Sequence, residues 1–307
     1  MKEKILVIGA SGLIGQELTY QLLRRNYDVM AGVNTGIILP AIPRRQVKID
    51  LLSESNVGEV ITSESPDVII NLAAISSIQR CERERELSYN LNVLGVRNLL
   101  QSIGFLENKP LLIHFSTDHV FNGFDGTNGQ YGEEDFPDPT NFYGETKSES
   151  EKIVNQSGIC PDSLIIRTSL TFGDYRYQYG NRPDRLHHMI ISRLKQGEKF
   201  EIDADSIISP TYLEYLCEGV IFLLENKSNG LFHITGKDAL SKYEFARRIA
   251  GLLGTEYADR IILREQQESI KNTSLSIRKI ADLGFYQMGI EEALNRYKSR
   301  SKMFFDG

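Results

Sequence analysis

Tyr143 and Lys147 stand four residues apart, a spacing that puts a phenol and an ammonium on one face of a helix. A tyrosine with its ordinary pKa of about 10 is a poor proton donor or acceptor near neutrality. A cation beside it favours the phenolate and draws that value toward working range. Tyr-x-x-x-Lys recurs by chance, so it gains weight only from its setting. Here it follows Phe115-Ser116-Thr117-Asp118, which ends an apolar strand-like run, and Thr117 supplies a hydroxyl able to polarise a carbonyl. Hydroxyl, phenol and ammonium, in that order along the chain, are the parts needed to move a proton onto a carbonyl oxygen.

A second set of residues has the pattern of a phosphate cradle. Gly9-Ala10-Ser11-Gly12-Leu13-Ile14-Gly15 lies between the apolar run 5–8 and a helical pattern marked by Leu13, Leu18, Leu22 and Leu23. Glycines there permit a tight turn and close approach of the backbone to a pyrophosphate, while the helix start offers free N–H groups and the positive end of its dipole. The setting of strand, turn and helix is what separates this motif from a chance glycine triplet. The carboxylate expected about 20 residues on to hold an NAD ribose is absent: the next strand ends Gly32-Val33-Asn34-Thr35. Arg44, Arg45 and Lys48 follow, as candidates for a 2′-phosphate or as solvated side chains. The expected cofactor is therefore NADP(H), with NAD(H) tolerated. Asp50-Leu51 suits an adenine amino group, and the small residues of Asn71-Leu72-Ala73-Ala74 let a cofactor lie against the backbone. The expected cofactor-binding set is Gly9, Ser11, Gly12, Leu13, Ile14, Gly15, Asn34, Asp50, Leu51, Leu72, Ala73 and Ala74, together with Tyr143 and Lys147. An oxidised nicotinamide beside Tyr143 would add to the pull of Lys147 on the phenol.

These groups need elements to position them. Apolar runs at 5–8, 27–33, 46–49, 68–72, 111–115 and 164–167 alternate with helical patterns. Among the latter are 83–102, with Leu87, Leu91, Leu94 and Leu99 at helical spacing, and 142–155. Strand–helix alternation with short connections predicts an α/β fold, a doubly wound parallel sheet of the Rossmann kind. Beyond 168 the pattern loosens into a polar loop at 173–183, helices at 185–196, 211–226, 241–253 and 289–299, and a short strand at 231–234. The division expected is a dinucleotide-binding domain over 1–168, to which helix 211–226 returns, and a smaller α/β substrate-binding domain over 169–307.

The 307 residues are 41% hydrophobic and 25% charged, with a formal net charge of −6, which leaves no global basic field for nucleic acid. Cys81, Cys160 and Cys217 are too few and too scattered for a disulfide framework or a zinc knuckle. The apolar run after Met1-Lys2-Glu3-Lys4 stops at Gly9, too short for a signal peptide, and no run approaches the roughly 20 residues that span a bilayer. A cytoplasmic protein with no membrane partner is the expectation. His114, His187, His188 and His233 read as packing or surface residues, and no metal site is expected. Glu82-Arg83-Glu84-Arg85-Glu86 reads as a solvated face with local ion pairs. Tyr175, Tyr177 and Tyr179 suit base stacking on a substrate, an exposed loop or a dimer contact.

The longer motifs carry a resemblance. The Gly-x-x-Gly-x-x-Gly turn is similar to that of extended short-chain dehydrogenases/reductases. Ser116-Thr117-Asp118-His119-Val120-Phe121-Asn122-Gly123, Tyr131-x-Glu133-x-Asp135, and Pro139-x-Asn141-x-Tyr143-Gly144-x-Thr146-Lys147 resemble the dTDP-4-dehydrorhamnose reductase family. So do Pro66-Asp67-Val68-Ile69-Ile70-Asn71, Arg167-Thr168-Ser169, Ser209-Pro210-Thr211 and Gly230-Leu231-Phe232-His233, over a span of about 4–254. The resemblance implies hydride transfer to a 4-keto sugar carried on a nucleotide. It makes Tyr143 the proton donor, Lys147 the holder of the nicotinamide ribose, Thr117 the hydrogen-bond donor to the carbonyl and Asn92 the helix asparagine that organises the site. The substrate would meet Ser76, Thr117, Asp118, His119, Phe121, Tyr143 and Thr168. His119 stands where the family often has tyrosine, and Leu170 where it has an aromatic, so the identity of the sugar and nucleotide is left open. Helices near 83–104 and 142–157 suit a homodimer contact, by analogy. An epimerase or dehydratase of nucleotide sugars, and a non-catalytic NADP-binding regulator like the regulatory subunit of methionine adenosyltransferase, are the alternatives.

Overall fold

The computed structural model describes residues 3–34, 45–124, 130–176, 185–204, 206–264 and 271–301. Thr35, Arg44, Tyr177 and Tyr179 lie outside them. The fully apolar runs form the inner strands of a parallel sheet, where both faces are covered and alternation is not required. Its strands are β1 (Lys4–Ile8), β2 (Asp28–Val33), β3 (Gln46–Lys48), β4 (Val68–Asn71), β5 (Leu111–Thr117) and β6 (Leu164–Thr168). A seventh, Gly230–His233, adds to the outer edge of β6, giving the order Gly230–His233, β6, β5, β4, β1, β2, β3. The helices that follow the strands are α1 (Leu13–Arg24), α2 (Glu54–Glu64), α3 (Ile78–Arg83), α4 (Arg85–Tyr89), α5 (Gly95–Gly104), α6 (Phe142–Gln156), α7 (Leu186–Lys195) and α8 (Leu213–Glu225).

Residue alternation along each strand decides which layer it feeds. Ile5, Val7, Ile70, Ile113 and Phe115 point into a core closed by α1 and α8. Leu6, Ile8, Ile69, Leu112 and Ile165 point the other way, toward α2, α5 and Val154 of α6. The first core continues without a break through α7 to Ile290, Leu294 and Tyr297. The chain thus crosses position 168 repeatedly, because α8 and the strand Gly230–His233 complete the Rossmann layer. The rest of the second half makes three small sheets among the described residues: Leu240–Ser241 with Ser206–Ile208 and Lys271–Asn272, Ile261–Arg264 with Phe200–Asp203, and Thr171–Phe172 with Thr211–Tyr212. Helices Lys242–Leu253 and Ile290–Arg300 pack alongside them.

The helix expected over 83–102 is broken into α3, α4, a π turn at Asn90–Leu94 and α5. A π turn holds an extra residue and shifts the phase of what precedes it. Ser88, Asn92, Val93, Val96 and Leu99 consequently face inward, while Leu87 and Leu94 are each 38% exposed. The leucine spacing was a poor guide here because it presumed one uninterrupted helix.

Candidate functional site

The turn after β1 is shaped by two glycines. Gly9 has φ of +83°, and a Cβ on Gly15 would lie 2.3 Å from the Gly9 carbonyl oxygen, so α1 packs directly on the turn. No side chain caps α1 and its first turn carries no acid. The first N–H groups of the helix therefore remain available to an anion. The loop after β4 lies against this turn, with Ala73 N–H donating to Asn71 Oδ1 at 3.2 Å. Uncapped N–H groups beside small residues fit the pyrophosphate of a dinucleotide.

α6 delivers the second half of the site. Asn141 caps it by accepting from Gly144 N–H at 2.9 Å. A Cβ on Gly144 would lie 2.0 Å from the His119 carbonyl oxygen, so only glycine lets α6 dock on the turn after β5. That docking brings Tyr143 to Thr117. Burial, reinforced by the Asp118 carboxylate, pushes the Tyr143 phenol well above its ordinary value, while a hydrogen bond with Thr117 acts the other way. The expected downward pull of Lys147 is absent. The Lys147 ammonium is instead turned to His114 Nε2 at 3.1 Å. Burial lowers Lys147 to about 8, against the opposing charge of Glu151. Tyr143 is accordingly a protonated phenol at neutral pH, which is the state a proton donor requires.

Thr117 Oγ1 donates to Asp118 Oδ1 at 3.1 Å and accepts from His119 N–H at 3.2 Å. Asp118 also accepts from Ser169 at 2.7 Å and from Thr273 at 3.2 Å. To donate to a carbonyl, Thr117 must turn its proton away from Asp118. Asn92 engages the Ile75 N–H and carbonyl at 2.9 and 3.0 Å and Thr146 Oγ1 at 3.0 Å. It ties the loop after β4 to α6 and, in this geometry, positions rather than reacts.

One cavity of about 430 Å³ gathers most of the candidates. Gly9, Gly12, Leu13, Ile14, Gly15, Leu72, Ala73 and Ala74 form one end, and Ser76, Thr117, Asp118, His119, Tyr143, Lys147 and Thr168 the other. Phe121 is not among its lining residues: it stacks on Tyr131 at 4.0 Å in a separate apolar cluster with Val120 and Leu275. The resemblance implies a substrate contact here, but after the 3-10 turn Asp118–Val120 the Phe121 ring packs on Tyr131 instead. Ser11, Asn34, Asp50 and Leu51 occupy the same edge of the sheet outside the cavity lining. Asp50 Oδ1 accepts from Leu52 N–H at 3.0 Å, and the Leu51 side chain is in the core against Gly95. Arg45 is paired with Glu64.

Several further residues meet the site, some of them from the polar loop in which the sequence offered Tyr175 for base stacking. Tyr175 and Arg185 line the cavity, and Arg185 Nε has no hydrogen-bond partner among the described residues. His114 is buried behind Lys147. A signal existed for it: it shares the face of β5 with Leu112, the face that α6 covers. Glu82 does more than pair with Arg85, since it also accepts from Phe142 N–H at 2.8 Å at the start of α6. His188 meets a carboxylate after all, at 2.8 Å from Asp174, and His187 adjoins them with Nε2 accepting from Gly173 N–H at 3.2 Å. All three cysteines are free and buried.

A parallel Rossmann sheet, a glycine turn leading into an uncapped helix, and a Tyr–Lys pair facing a threonine define the class: an NAD(P)-dependent oxidoreductase of the extended short-chain dehydrogenase/reductase type. A family model described as the RmlD substrate binding domain matches residues 2–288, and the chain belongs to that family. It is similar to a dTDP-4-dehydrorhamnose reductase of Aggregatibacter actinomycetemcomitans, with 31% identity over 251 residues, 79% of this chain and 76% of that protein. It is 30% identical over 269 residues to methionine adenosyltransferase 2 subunit beta of Danio rerio, covering 86% of this chain and 78% of that one. Among solved structures, the dTDP-4-dehydrorhamnose reductase of Bacillus anthracis in complex with NADP superposes with a TM-score of 0.82 at 26% identity, covering 98% of this chain and 100% of the other.

Proposed function

We propose that this chain reduces the 4-keto carbon of a nucleotide-linked sugar with NADPH, and tolerates NADH. The observation that carries the reading is that Tyr143, Lys147 and Thr117 line the same cavity as the uncapped start of α1. The α1 N-terminus and the Gly9–Gly15 turn bind the cofactor's pyrophosphate, and Lys147 holds its ribose. Bound NADPH supplies the hydride. Tyr143 gives its proton to the forming alkoxide, and Thr117 turns its hydroxyl to the same oxygen, where negative charge develops. Arg185, whose Nε has no hydrogen-bond partner among the described residues, stands at the cavity wall and suits the substrate's diphosphate.

The reading includes a cytoplasmic homodimer, with the exposed Leu87 and Leu94 as part of the contact. No helix among the described residues is long and apolar enough to cross a membrane. Incubation with NADPH and a panel of 4-keto nucleotide sugars tests the activity. A product heavier by two hydrogens, with equimolar NADP⁺ released, supports reduction. Net conversion without cofactor consumption, with NAD⁺ retained by the purified protein, would make it an epimerase. Tight NADPH binding without turnover of any sugar, and a partner enzyme that co-purifies, would replace catalysis by the regulatory role of the methionine adenosyltransferase subunit.

A further inference from the structure

His114 lies beneath the site with both ring nitrogens engaged by polar side chains. Nε2 is 3.1 Å from Lys147 Nζ and 3.0 Å from Ser150 Oγ, and Nδ1 is 3.4 Å from Asn71 Nδ2. Lys147 and Ser150 are one turn apart on α6 and straddle the ring, which the alternation of β5 aims at them. His114 is the one hydrogen-bond partner of Lys147 Nζ among the described residues. The ring is 1% exposed and held neutral, its pKa driven well below 6.5 by burial and then by the Lys147 charge. A neutral imidazole has one N–H and one lone pair, so its two nitrogens cannot both donate.

An ammonium has only protons to offer. While Lys147 is charged, Nε2 must present its lone pair and the ring proton resides on Nδ1, where it meets the Asn71 amide nitrogen, itself a donor, at 3.4 Å and gains no hydrogen bond. Once Lys147 is an amine, the reverse arrangement is satisfied throughout. Nε2–H donates to the amine, Nδ1 accepts from the Asn71 amide, and Ser150 keeps its own bond to the Lys147 carbonyl at 2.8 Å. We propose that His114 is a positioning residue whose tautomer follows the charge of Lys147, so that it holds the lysine toward the cofactor ribose in either state. The change is balanced: Lys147 gains a proton at Nζ, Nε2 gives one up, and Nδ1 takes one, for a net uptake of one proton from solvent. The other charges that face this pair are Glu151 on α6, bound bidentately by Arg167 of β6 at 2.9 and 2.7 Å, and Asp118 beyond Tyr143. The Glu151–Arg167 bridge is internally neutral, which leaves His114 as the polar group in direct contact with the lysine.

The inference rests on Lys147 serving the cofactor, so its test needs no sugar. In histidine-labelled protein, nitrogen-15 NMR distinguishes the two neutral tautomers. The His114 signals should pass from the Nδ1–H to the Nε2–H pattern as pH rises, with a midpoint matching the alkaline limb of NADPH affinity, and should not do so in Lys147→Met. The NADPH limb should move at least about one pH unit lower in His114→Leu, where a tenfold change corresponds to one unit. It should stay near its original place in His114→Gln, whose amide can turn to donate or accept. A tautomer that is constant across the range, or one that switches equally in Lys147→Met, would overturn the proposal. So would a folded His114→Leu protein with the original limb. If His114→Leu does not fold, the NMR titration of the unmodified protein still decides. Loss of sugar turnover with these shifts intact would count against the proposed substrate and leave the role of His114 standing.

Discussion

At the scale of single residues, the site keeps Tyr143 protonated and Lys147 close to its titration point. Tyr143→Phe removes the transferable proton while leaving the buried ring in place. Turnover should fall by about 10²–10⁴-fold, with NADPH affinity changed only a few-fold, as read by steady-state kinetics and fluorescence titration. Retained turnover would remove Tyr143 from its role. Asn92→Leu leaves the Ile75 N–H unpaired, at a cost of about 1–3 kcal/mol, while the Ile75 carbonyl keeps Cys81 Sγ and Thr146 Oγ1 keeps the Tyr143 carbonyl as partners. A lowered denaturation midpoint is the expected result. That Tyr143, Lys147 and Thr117 meet in one cavity was legible because their types and order along the chain pointed to a single site. Phe121 and His114 were not, since the one packs according to where Tyr131 folds and the other matters only through Lys147, far along the chain.

At the scale of elements, two close approaches fix the geometry: α1 on the Gly9 turn and α6 on the turn after β5. Gly144→Ala would put a methyl group 2.0 Å from the His119 carbonyl oxygen, against backbone that cannot rotate away. α6 must then lift, separating Tyr143 from Thr117. The expected outcome is an overpacking cost of about 1–3 kcal/mol in denaturant unfolding, and a larger fractional loss of turnover than of folded protein. An active protein of unchanged stability would show that α6 docks otherwise. Helix α6 is one continuous helix over Phe142–Gln156, close to the 142–155 read from the sequence. The 78–104 segment could not be read in this way, because a π turn leaves no mark in hydrophobic spacing and here turns Asn92, not a leucine, inward.

At the scale of the whole molecule, the parallel sheet was visible as a series of apolar runs, but the place of its seventh strand was not. Gly230–His233 is short and follows a less regular stretch, and only its pairing with β6 shows that it belongs to the first layer. The fold also buries three histidines, which shapes its response to acid. His187 and His233 are driven to about 3, and His114 well below 6.5, chiefly by burial. In the unfolded chain these groups bind protons near 6.5, so below that pH the unfolded state carries more protons than the native one. Each therefore removes up to about 1.4 kcal/mol of stability per pH unit as the pH falls toward its native value. Urea midpoints should decline steeply below about pH 6 and change little just above pH 7; a flat profile through the acid range would contradict the burial of these rings. The central claim, that this cavity passes a hydride to a sugar carbonyl, is tested most directly with NADPH carrying deuterium on the reactive carbon of its nicotinamide. The deuterium is predicted to appear on carbon 4 of the reduced sugar with the unmodified protein, and transfer is expected to be at least a hundredfold slower with Tyr143→Phe. A folded protein that binds NADPH and delivers deuterium to no 4-keto nucleotide sugar would contradict it.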